Sequence, residues 1–478
     1  MLDSFAMRRP LLLLPCLLFL ASSLAAAAEP PRAASFADFD RRARAGEELS
    51  VVFFGGSLTW SANASDPNRT GFRPLVAEWL RAKYPAARFR FHDAGLGGTG
   101  SMLGIFRLGR DVFPHEPDLV FLDFACNDEG GPTALAQSCC YESILRRLVV
   151  RGVPVVQMFF TFGFWARNLD APGTGHPQLA AYRTLAEAYS TGVGDVYRDG
   201  PLFRDLRSGK VSPENVWPFD DAHPGDLGYR YFAAAGIEGF ERAVASNLVC
   251  RVPETPVFGD VRNVTRGEVG WEDQLLWALS ETTNFVSIAE SAEDTKITDG
   301  EDWFSPSALN IRGLEEGDGY TFLPVPDGWS RKPTYRTSLW FDGLSSRWMD
   351  GVAVFAGTNR APFEVRAKAN LVGVFGEADE KALVCEVRAD GNKIADFRGN
   401  HGAGAGRLFI WRQALLPGWE RGETAVHSFA FDPLPSPDGT GEFHIGSICT
   451  ATILPAAATA PPAADAIDLE TIDHGRQK

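Results

Sequence analysis

The feature that most constrains the fold is the alternation of strand-like and helix-like segments between about residues 49 and 250. Short β-branched and aromatic runs, such as 49–54, 119–124 and 153–159, alternate with longer segments whose apolar residues recur at helical spacing. Consecutive parallel strands need a crossover connection, which a helix of 10 to 17 residues supplies. The sequence therefore predicts an α/β domain with a parallel sheet between two layers of helices.

After about residue 251 the pattern changes to short apolar runs separated by Gly, Pro, Asp and Asn. Regular short strands with turn signals predict an antiparallel β-sandwich. The tryptophans of this region suit either a carbohydrate-binding surface or a packed core. The predicted boundaries are a signal peptide at 1–28, an α/β domain at 29–250, a linker at 251–272, a β-sandwich accessory domain at 273–455 and a disordered tail at 456–478.

The N-terminal 28 residues have the order of a secretory signal. Arg8 and Arg9 precede an apolar run at 11–24, and small residues follow at 26–28. An uncleaved membrane anchor is the alternative, but the apolar run is short for a bilayer and contains Pro15. We expect a secreted or periplasmic protein that does not bind the membrane after cleavage.

Composition restricts the partners. Acidic residues outnumber basic ones by 61 to 46, for a net charge of −15, which argues against nucleic acid and anionic membranes and leaves neutral substrates open. No CxxC motif and no His/Cys cluster with metal spacing is present, so we predict neither a metal nor a cofactor. Export permits disulfides, and Cys385 and Cys449 are candidates to pair. The sequence does not indicate an oligomeric state.

The first strand ends on two glycines, Gly55 and Gly56, followed by Ser57. In an open α/β sheet the chemistry lies beyond the carboxyl ends of the strands, which would place Ser57 at the mouth of a site. A Gly-Gly-Ser turn that caps a helix is the alternative. A serine hydroxyl becomes a nucleophile only with a base to remove its proton and fixed donors to stabilise an oxyanion.

Three later segments offer these parts at other strand ends. Gly98 lies in a glycine-rich turn after the second strand, and Asn127 follows the third strand. Asp220 and His223 precede the last helix at a spacing that lets the carboxylate orient the imidazole, with Asp221 as a competing partner. Each segment alone is also explained as an ordinary turn, a helix cap or an exposed loop.

Together these four segments resemble the blocks of the SGNH hydrolases, also called GDSL esterases and lipases. Gly56 stands where the name-giving motif has Asp, and the resemblance covers residues 48–247. It implies a flavodoxin-like sheet with Ser57 as nucleophile, His223 as general base and Asp220 as its orienting carboxylate. It also implies an oxyanion hole formed by the N–H groups of Ser57 and Gly98 and the amide of Asn127.

The substrate is less constrained. Aromatic residues that follow the fourth strand or precede the Asp/His block, Phe162, Trp165 and Trp217, are candidate substrate contacts, with burial as the alternative. Arg107 and Arg110 are interpreted as contacts for an acidic substrate or as solvated helix residues. The resemblance and export predict an esterase that removes small acyl groups, acetyl above all, from a carbohydrate. The alternatives are an O-acyltransferase acting on a polysaccharide and a non-catalytic glycan-binding protein.

Overall fold

The computed structural model describes most of the two predicted domains. The described residues are 32–167, 176–196, 200–269, 320–323, 325–333, 349, 351–356, 362–398, 408–422 and 425–456. The predicted signal peptide, nearly the whole predicted tail, and Trp303, Trp340 and Trp348 lie outside them. No helix within the described ranges combines the length and apolar character required to cross a membrane.

Five parallel strands form the central sheet of the first domain. They are β1 (Glu48–Gly55), β2 (Arg88–Gly95), β3 (Leu119–Asp123), β4 (Val155–Phe159) and β5 (Gly192–Asp195). Their order across the sheet is β2-β1-β3-β4-β5, which is the flavodoxin-like arrangement. The order reverses next to β1, so the loops after β1 and β3 diverge and leave a crevice at their carboxyl ends.

Ten helices are described in this domain: α1 (Phe36–Arg44), α2 (Ser57–Trp60), α3 (Phe72–Lys83), α4 (Ser101–Asp111), α5 (Ala134–Val150), α6 (Gly163–Ala166), α7 (Leu179–Tyr189), α8 (Pro201–Arg207), α9 (Pro213–Val216) and α10 (Asp226–Ala245). Helix α10 packs with α1 and α3, whereas α5 packs with α4 and α7. The sheet lies between these two groups, which confirms the predicted three-layer α/β architecture.

Strand β1 is buried on both faces, as its apolar run predicts. On one face Phe53 stacks on Phe121 with ring centroids 5.2 Å apart and meets the edge of Phe72 at 5.5 Å. On the other face Phe54 meets Phe124 at 5.0 Å. Aromatic packing on both sides fixes the position at which β1 ends and the chain turns into α2.

The C-terminal region consists of two facing sheets. The larger sheet contains β6 (Gly259–Val269), β7 (Tyr320–Leu323), β8 (Trp329–Pro333), β9 (Gly351–Ala356), β11 (Leu371–Ala378), β14 (Leu408–Leu415) and β16 (Glu442–Pro455). The smaller sheet contains β10 (Phe363–Lys368), β12 (Val384–Ala389), β13 (Asn392–Arg398) and β15 (Val426–Pro433). Side chains of both sheets, including Val374 and Phe431, share one apolar core. This confirms the antiparallel sandwich, with one parallel pair, β6 and β7.

Strand β6 lies inside the range predicted as a linker. Its sequence has no continuous apolar run, yet it pairs along β16 and packs against α5 of the first domain. Two of the tryptophans described in the sandwich are also core residues, since Trp329 is 8% and Trp419 is 6% exposed. Cys385 and Cys449 lie in different sheets, and both carry free, buried thiols.

Candidate active site

The predicted site residues converge at the carboxyl edge of the parallel sheet. Ser57 is the first residue of α2, directly after β1, and His223 lies in the loop between α9 and α10. The Nε2 atom of His223 is 2.9 Å from Ser57 Oγ, and its Nδ1 atom is 3.1 Å from Asp220 Oδ2. The three side chains therefore form a continuous hydrogen-bonded line.

Asp220 is held by its own loop. Its Oδ1 atom accepts hydrogen bonds from the backbone N–H groups of Ala222 at 2.7 Å and His223 at 2.6 Å. Burial acts to raise the pKa of Asp220, but these bonds and the imidazole hydrogen bond outweigh it and hold the pKa well below its ordinary value. Asp220 is therefore a carboxylate at neutral pH.

Asp221, the competing carboxylate, points elsewhere. It pairs with Arg167, with Nη2 and Oδ1 2.9 Å apart, and Arg167 also contacts Glu214 at 2.6 Å. Sequence reasoning missed Asn63, whose Nδ2 atom is 2.7 Å from Asp220 Oδ2. Asn63 follows the short helix α2 and belongs to none of the strand ends that organise the sequence analysis.

The predicted oxyanion donors lie next to Ser57. A Cβ atom on Gly97 would be 3.4 Å from Ser57 Cβ, so this glycine-rich loop passes close to Ser57. The φ angle of Gly98 is +67°, a region that glycine occupies at little cost, and a Cβ there would project into open space. The loop after β2 therefore lies beside Ser57 with open space next to Gly98.

Asn127 lies against the turn that carries Ser57. A Cβ atom on Gly56 would come within 2.1 Å of Asn127 Oδ1, so a larger residue, such as the Asp of the name-giving motif, would require the Asn127 side chain to shift. Asn127 Nδ2 donates no hydrogen bond to any residue that the structure describes. The Asn127 amide can therefore donate to a group bound beside Ser57.

Two buried carboxyl groups support these loops. Asp128 accepts from the backbone N–H of Ser101 at 2.9 Å and from the hydroxyl of Tyr182, which fastens the Asn127 loop to the start of α4. Burial raises the pKa of Asp128 to about 7, and it raises the pKa of Asp123 to about 8.

Arg107 and Arg110 are neither solvated nor available to a substrate, because they are only 1% and 6% exposed. The Arg107 guanidinium donates to the carbonyl of Gly55 at 3.4 Å and to that of Ala94. It also pairs with Asp111 at 3.0 Å. Arg107 therefore ties together the carboxyl ends of β1 and β2, the strands that precede the nucleophile and the glycine-rich loop.

The aromatic candidates divide into two groups. Phe162 and Trp165 are half-buried, and the ring centroid of Phe162 is 6.5 Å from that of His223. Trp217 is 2% exposed and packs beneath Gly163, where a Cβ atom would be 2.7 Å from its Cγ. Phe162 and Trp165 therefore border the site, whereas the Trp217 ring is part of the core.

The arrangement of hydroxyl, imidazole and carboxylate suits nucleophilic chemistry. In the described ranges, no group of three or more His, Cys, Asp or Glu side chains is placed to hold a metal ion. A hydroxyl hydrogen-bonded to an imidazole, which is itself oriented by a carboxylate, can attack a carbonyl carbon. The residues beside it offer donors for the negative charge that such an attack creates.

Part of the chain matches a known protein family. Residues 53–231 match the profile of the GDSL-like Lipase/Acylhydrolase family. The chain matches no curated protein sequence significantly.

The chain is similar to several solved structures, and the first described here shares its fold. A two-domain esterase (CEX) active on acetylated mannans, crystallised with mannopentaose, is 17% identical with a TM-score of 0.62, covering 87% of this chain and 94% of its own. The acetyl xylan esterase AlAXEase is 21% identical (TM-score 0.34) and covers 40% of this chain and 98% of its own. Axe2, an acetylxylan esterase from Geobacillus stearothermophilus, is 18% identical (TM-score 0.34) and covers 40% and 94%.

The profile match runs from Phe53 near the end of β1 to Tyr231 in α10 and includes all four segments that resemble the family's blocks. The chain therefore contains a domain of the GDSL-like lipase/acylhydrolase family, a family of carboxylic ester hydrolases.

Proposed function

We propose that this protein is an exported serine esterase that removes small acyl groups, acetyl above all, from a carbohydrate. The observation that carries the proposal is the line from Ser57 Oγ through His223 to Asp220, with hydrogen-bond distances of 2.9 and 3.1 Å. It supplies a nucleophile, a base and an orienting carboxylate at the crevice of a GDSL-like sheet.

In the first half of the reaction, Ser57 Oγ attacks the ester carbonyl carbon while His223 Nε2 takes the hydroxyl proton. Asp220 fixes the imidazole with Nδ1–H toward itself and stabilises the imidazolium. The carbonyl oxygen becomes an oxyanion, which accepts from the N–H groups of Ser57 and Gly98 and from Asn127 Nδ2. One such donor contributes about 3–4 kcal/mol of transition-state stabilisation.

The tetrahedral intermediate then collapses. The bond between the carbonyl carbon and the sugar oxygen breaks, His223 gives its proton to that oxygen, and the sugar alcohol leaves. Water attacks the acyl-Ser57 ester with His223 again as base, and the carboxylic acid leaves while Ser57 Oγ recovers its proton. Removal of each acyl group therefore consumes one water molecule and yields one alcohol and one carboxylic acid.

Three features support a carbohydrate ester as substrate. The two-domain esterase with the same fold over both domains is active on acetylated mannans. Phe164 and Phe219 are 43% and 74% exposed near the catalytic loop, and aromatic faces of this kind stack on sugar rings. The sequence of residues 1–28 predicts export, which gives access to extracellular or periplasmic polysaccharides.

The test compares the purified wild type with Ser57→Ala and with Ser208→Ala, an exposed serine after α8 that serves as control. Each protein is assayed on a short-chain aryl ester and on acetylated mannan and xylan, with acetate release as the readout. We expect wild-type turnover from the control and a loss of at least about 10³-fold from Ser57→Ala. Equal acetate release by wild type and Ser57→Ala would refute the proposed nucleophile.

A further inference from the structure

Asn63 forms a fourth member of the hydrogen-bonded line. Its Nδ2 atom is 2.7 Å from Asp220 Oδ2, the same oxygen that accepts from His223 Nδ1 at 3.1 Å. The same Nδ2 atom is 3.4 Å from the backbone oxygen of His223. We propose that Asn63 is a positioning residue that holds Asp220 in the plane from which it orients His223. This inference rests on the proposed function of the Ser57 site.

The turn that carries Asn63 is hydrogen-bonded to the proposed nucleophile, Ser57. The backbone N–H of Ala62 donates to the carbonyl of Ser57 at 3.0 Å, so the turn closes directly on Ser57. The carbonyl of Ala62 accepts from the hydroxyl of Tyr229 on α10 at 2.6 Å. Asn63 therefore reaches Asp220 from a segment that is fixed at both ends, to the nucleophile and to the helix that follows the base.

The backbone of this turn favours Asn. Asn63 has φ of +67° and Ser61 has φ of +74°, both in the left-handed region. Among residues other than glycine, Asn and Asp occupy that region most readily. Asn combines this tolerance with a neutral side-chain donor, and a donor is what the ionised Asp220 requires. The positive φ angle and the need for a hydrogen-bond donor therefore both favour Asn at position 63.

The acceptor sites of Asp220 divide between two functions. Oδ1 is taken by the two backbone N–H groups of its own loop, at 2.7 and 2.6 Å. Oδ2 receives only side-chain donors in the described part of the chain, namely Asn63 and His223. The Asp220 side chain is 44% exposed, so without Asn63 water would compete for Oδ2. Asn63 thus occupies the remaining lone pairs and restricts rotation of the carboxylate.

The other charged groups around this loop have their own partners. Asp221 pairs with Arg167 at 2.9 Å. Asp226, at the start of α10, accepts from the hydroxyls of Ser65 at 2.6 Å and Thr70 at 2.8 Å. Tyr229, which lies near Asp220, donates to a backbone carbonyl. A new charge at position 63 would therefore act first on the Asp220–His223 pair.

Two variants separate the donor from the backbone. Asn63→Gly keeps access to the left-handed region and deletes the amide. Asn63→Asp keeps the shape but brings a second carboxylate to the 2.7 Å contact with Asp220. The matched control is Asn247→Gly, because Asn247 has φ of +50° and is exposed after α10, away from the site. All are assayed on the short-chain aryl ester together with thermal unfolding.

We expect Asn63→Gly to lower kcat by about 10- to 100-fold with KM changed less than about twofold, the range for a lost hydrogen bond to a charged acceptor. We expect Asn63→Asp to lower kcat at least as much and to move the acid limb of kcat/KM to higher pH, because a second carboxylate stabilises the protonated base. Asn247→Gly should retain wild-type kinetics.

A turn that is merely structural would give a different result. The inference is overturned if both Asn63 variants match Asn247→Gly, or if they lose kcat only in proportion to lost folded protein while the acid limb stays in place. Ser57→Ala separates this failure from that of the proposed function. If Ser57→Ala retains turnover, the serine mechanism is wrong; if it is inactive and the Asn63 variants are normal, only the role of Asn63 is wrong.

Discussion

Glu142 is the best place to test how firmly the two domains are joined. This residue of α5 is completely buried. Its Oε1 atom accepts from the backbone N–H of Val257 at 2.7 Å and from the hydroxyl of Tyr189 at 2.9 Å. Its Oε2 atom accepts from the N–H groups of Phe258 at 2.6 Å and Gly259 at 3.1 Å. One carboxylate therefore fixes the chain at the start of β6.

The magnitude follows from the donors that lose their acceptor. In Glu142→Gln the amide oxygen can replace Oε1, but the NH₂ group faces two backbone donors where Oε2 accepted from them. An unsatisfied buried donor costs about 1–3 kcal/mol, so two cost about 2–6 kcal/mol. For domains of this size each kcal/mol corresponds to roughly 2–4 °C, which predicts a fall in Tm of roughly 4–24 °C.

The assay is differential scanning calorimetry combined with limited proteolysis of the junction at 251–258. Glu238→Gln is the control, because Glu238 is 41% exposed in a loose pair with Arg242 at 3.6 Å and should change stability by less than about 0.5 kcal/mol. We expect faster cleavage of Glu142→Gln at the junction, with turnover of a small ester preserved below its Tm. If Glu142→Gln and Glu238→Gln unfold and are cleaved alike, the carboxylate does not hold the domains together.

Two further predictions concern buried charges beneath the site. Arg107→Met leaves Asp111 without its 3.0 Å partner and should lower the free energy of unfolding by about 3–5 kcal/mol. Chemical denaturation measures this change, and an unchanged midpoint would contradict the proposed stabilising role of Arg107. Because burial raises the pKa of Asp123 from 3.8 to about 8, the unfolded chain releases this proton first as pH rises, and stability falls across that window. The Tm of Asp123→Asn should therefore decline less steeply than that of the wild type between pH 5 and 8, whereas parallel curves would refute the raised pKa.

The fold was predictable because the spacing of apolar residues distinguishes strands from helices. The site residues at the strand ends were predictable because their positions follow from the ends of those strands. Parallel strands place their carboxyl ends at one edge, so Ser57, Gly98 and Asn127 had to meet once the alternation was recognised. Asn63 was not predictable by the same reasoning. It lies six residues after Ser57 in a turn of Ser, Ala and Asn, and its partner Asp220 is far away in the sequence. Only the folded turn reveals that its amide points at the carboxylate.

Charged residues were misinterpreted for a related reason. Helical spacing shows which face a residue occupies but not what covers that face, so Arg107 was interpreted as solvated or substrate-facing although it is 1% exposed. Strand β6 escaped recognition because its sequence is polar, and it is fixed to α5 by Glu142 and by Ser143, whose hydroxyl accepts from the N–H of Val261 at 2.9 Å. In both cases a charged or polar side chain binds the backbone of a distant segment.

A helix that binds the second domain through its buried polar face leaves little freedom of movement between the two domains. The sandwich is therefore expected to move with the parallel sheet, and any contact it makes with a polysaccharide would be held at a fixed distance from Ser57.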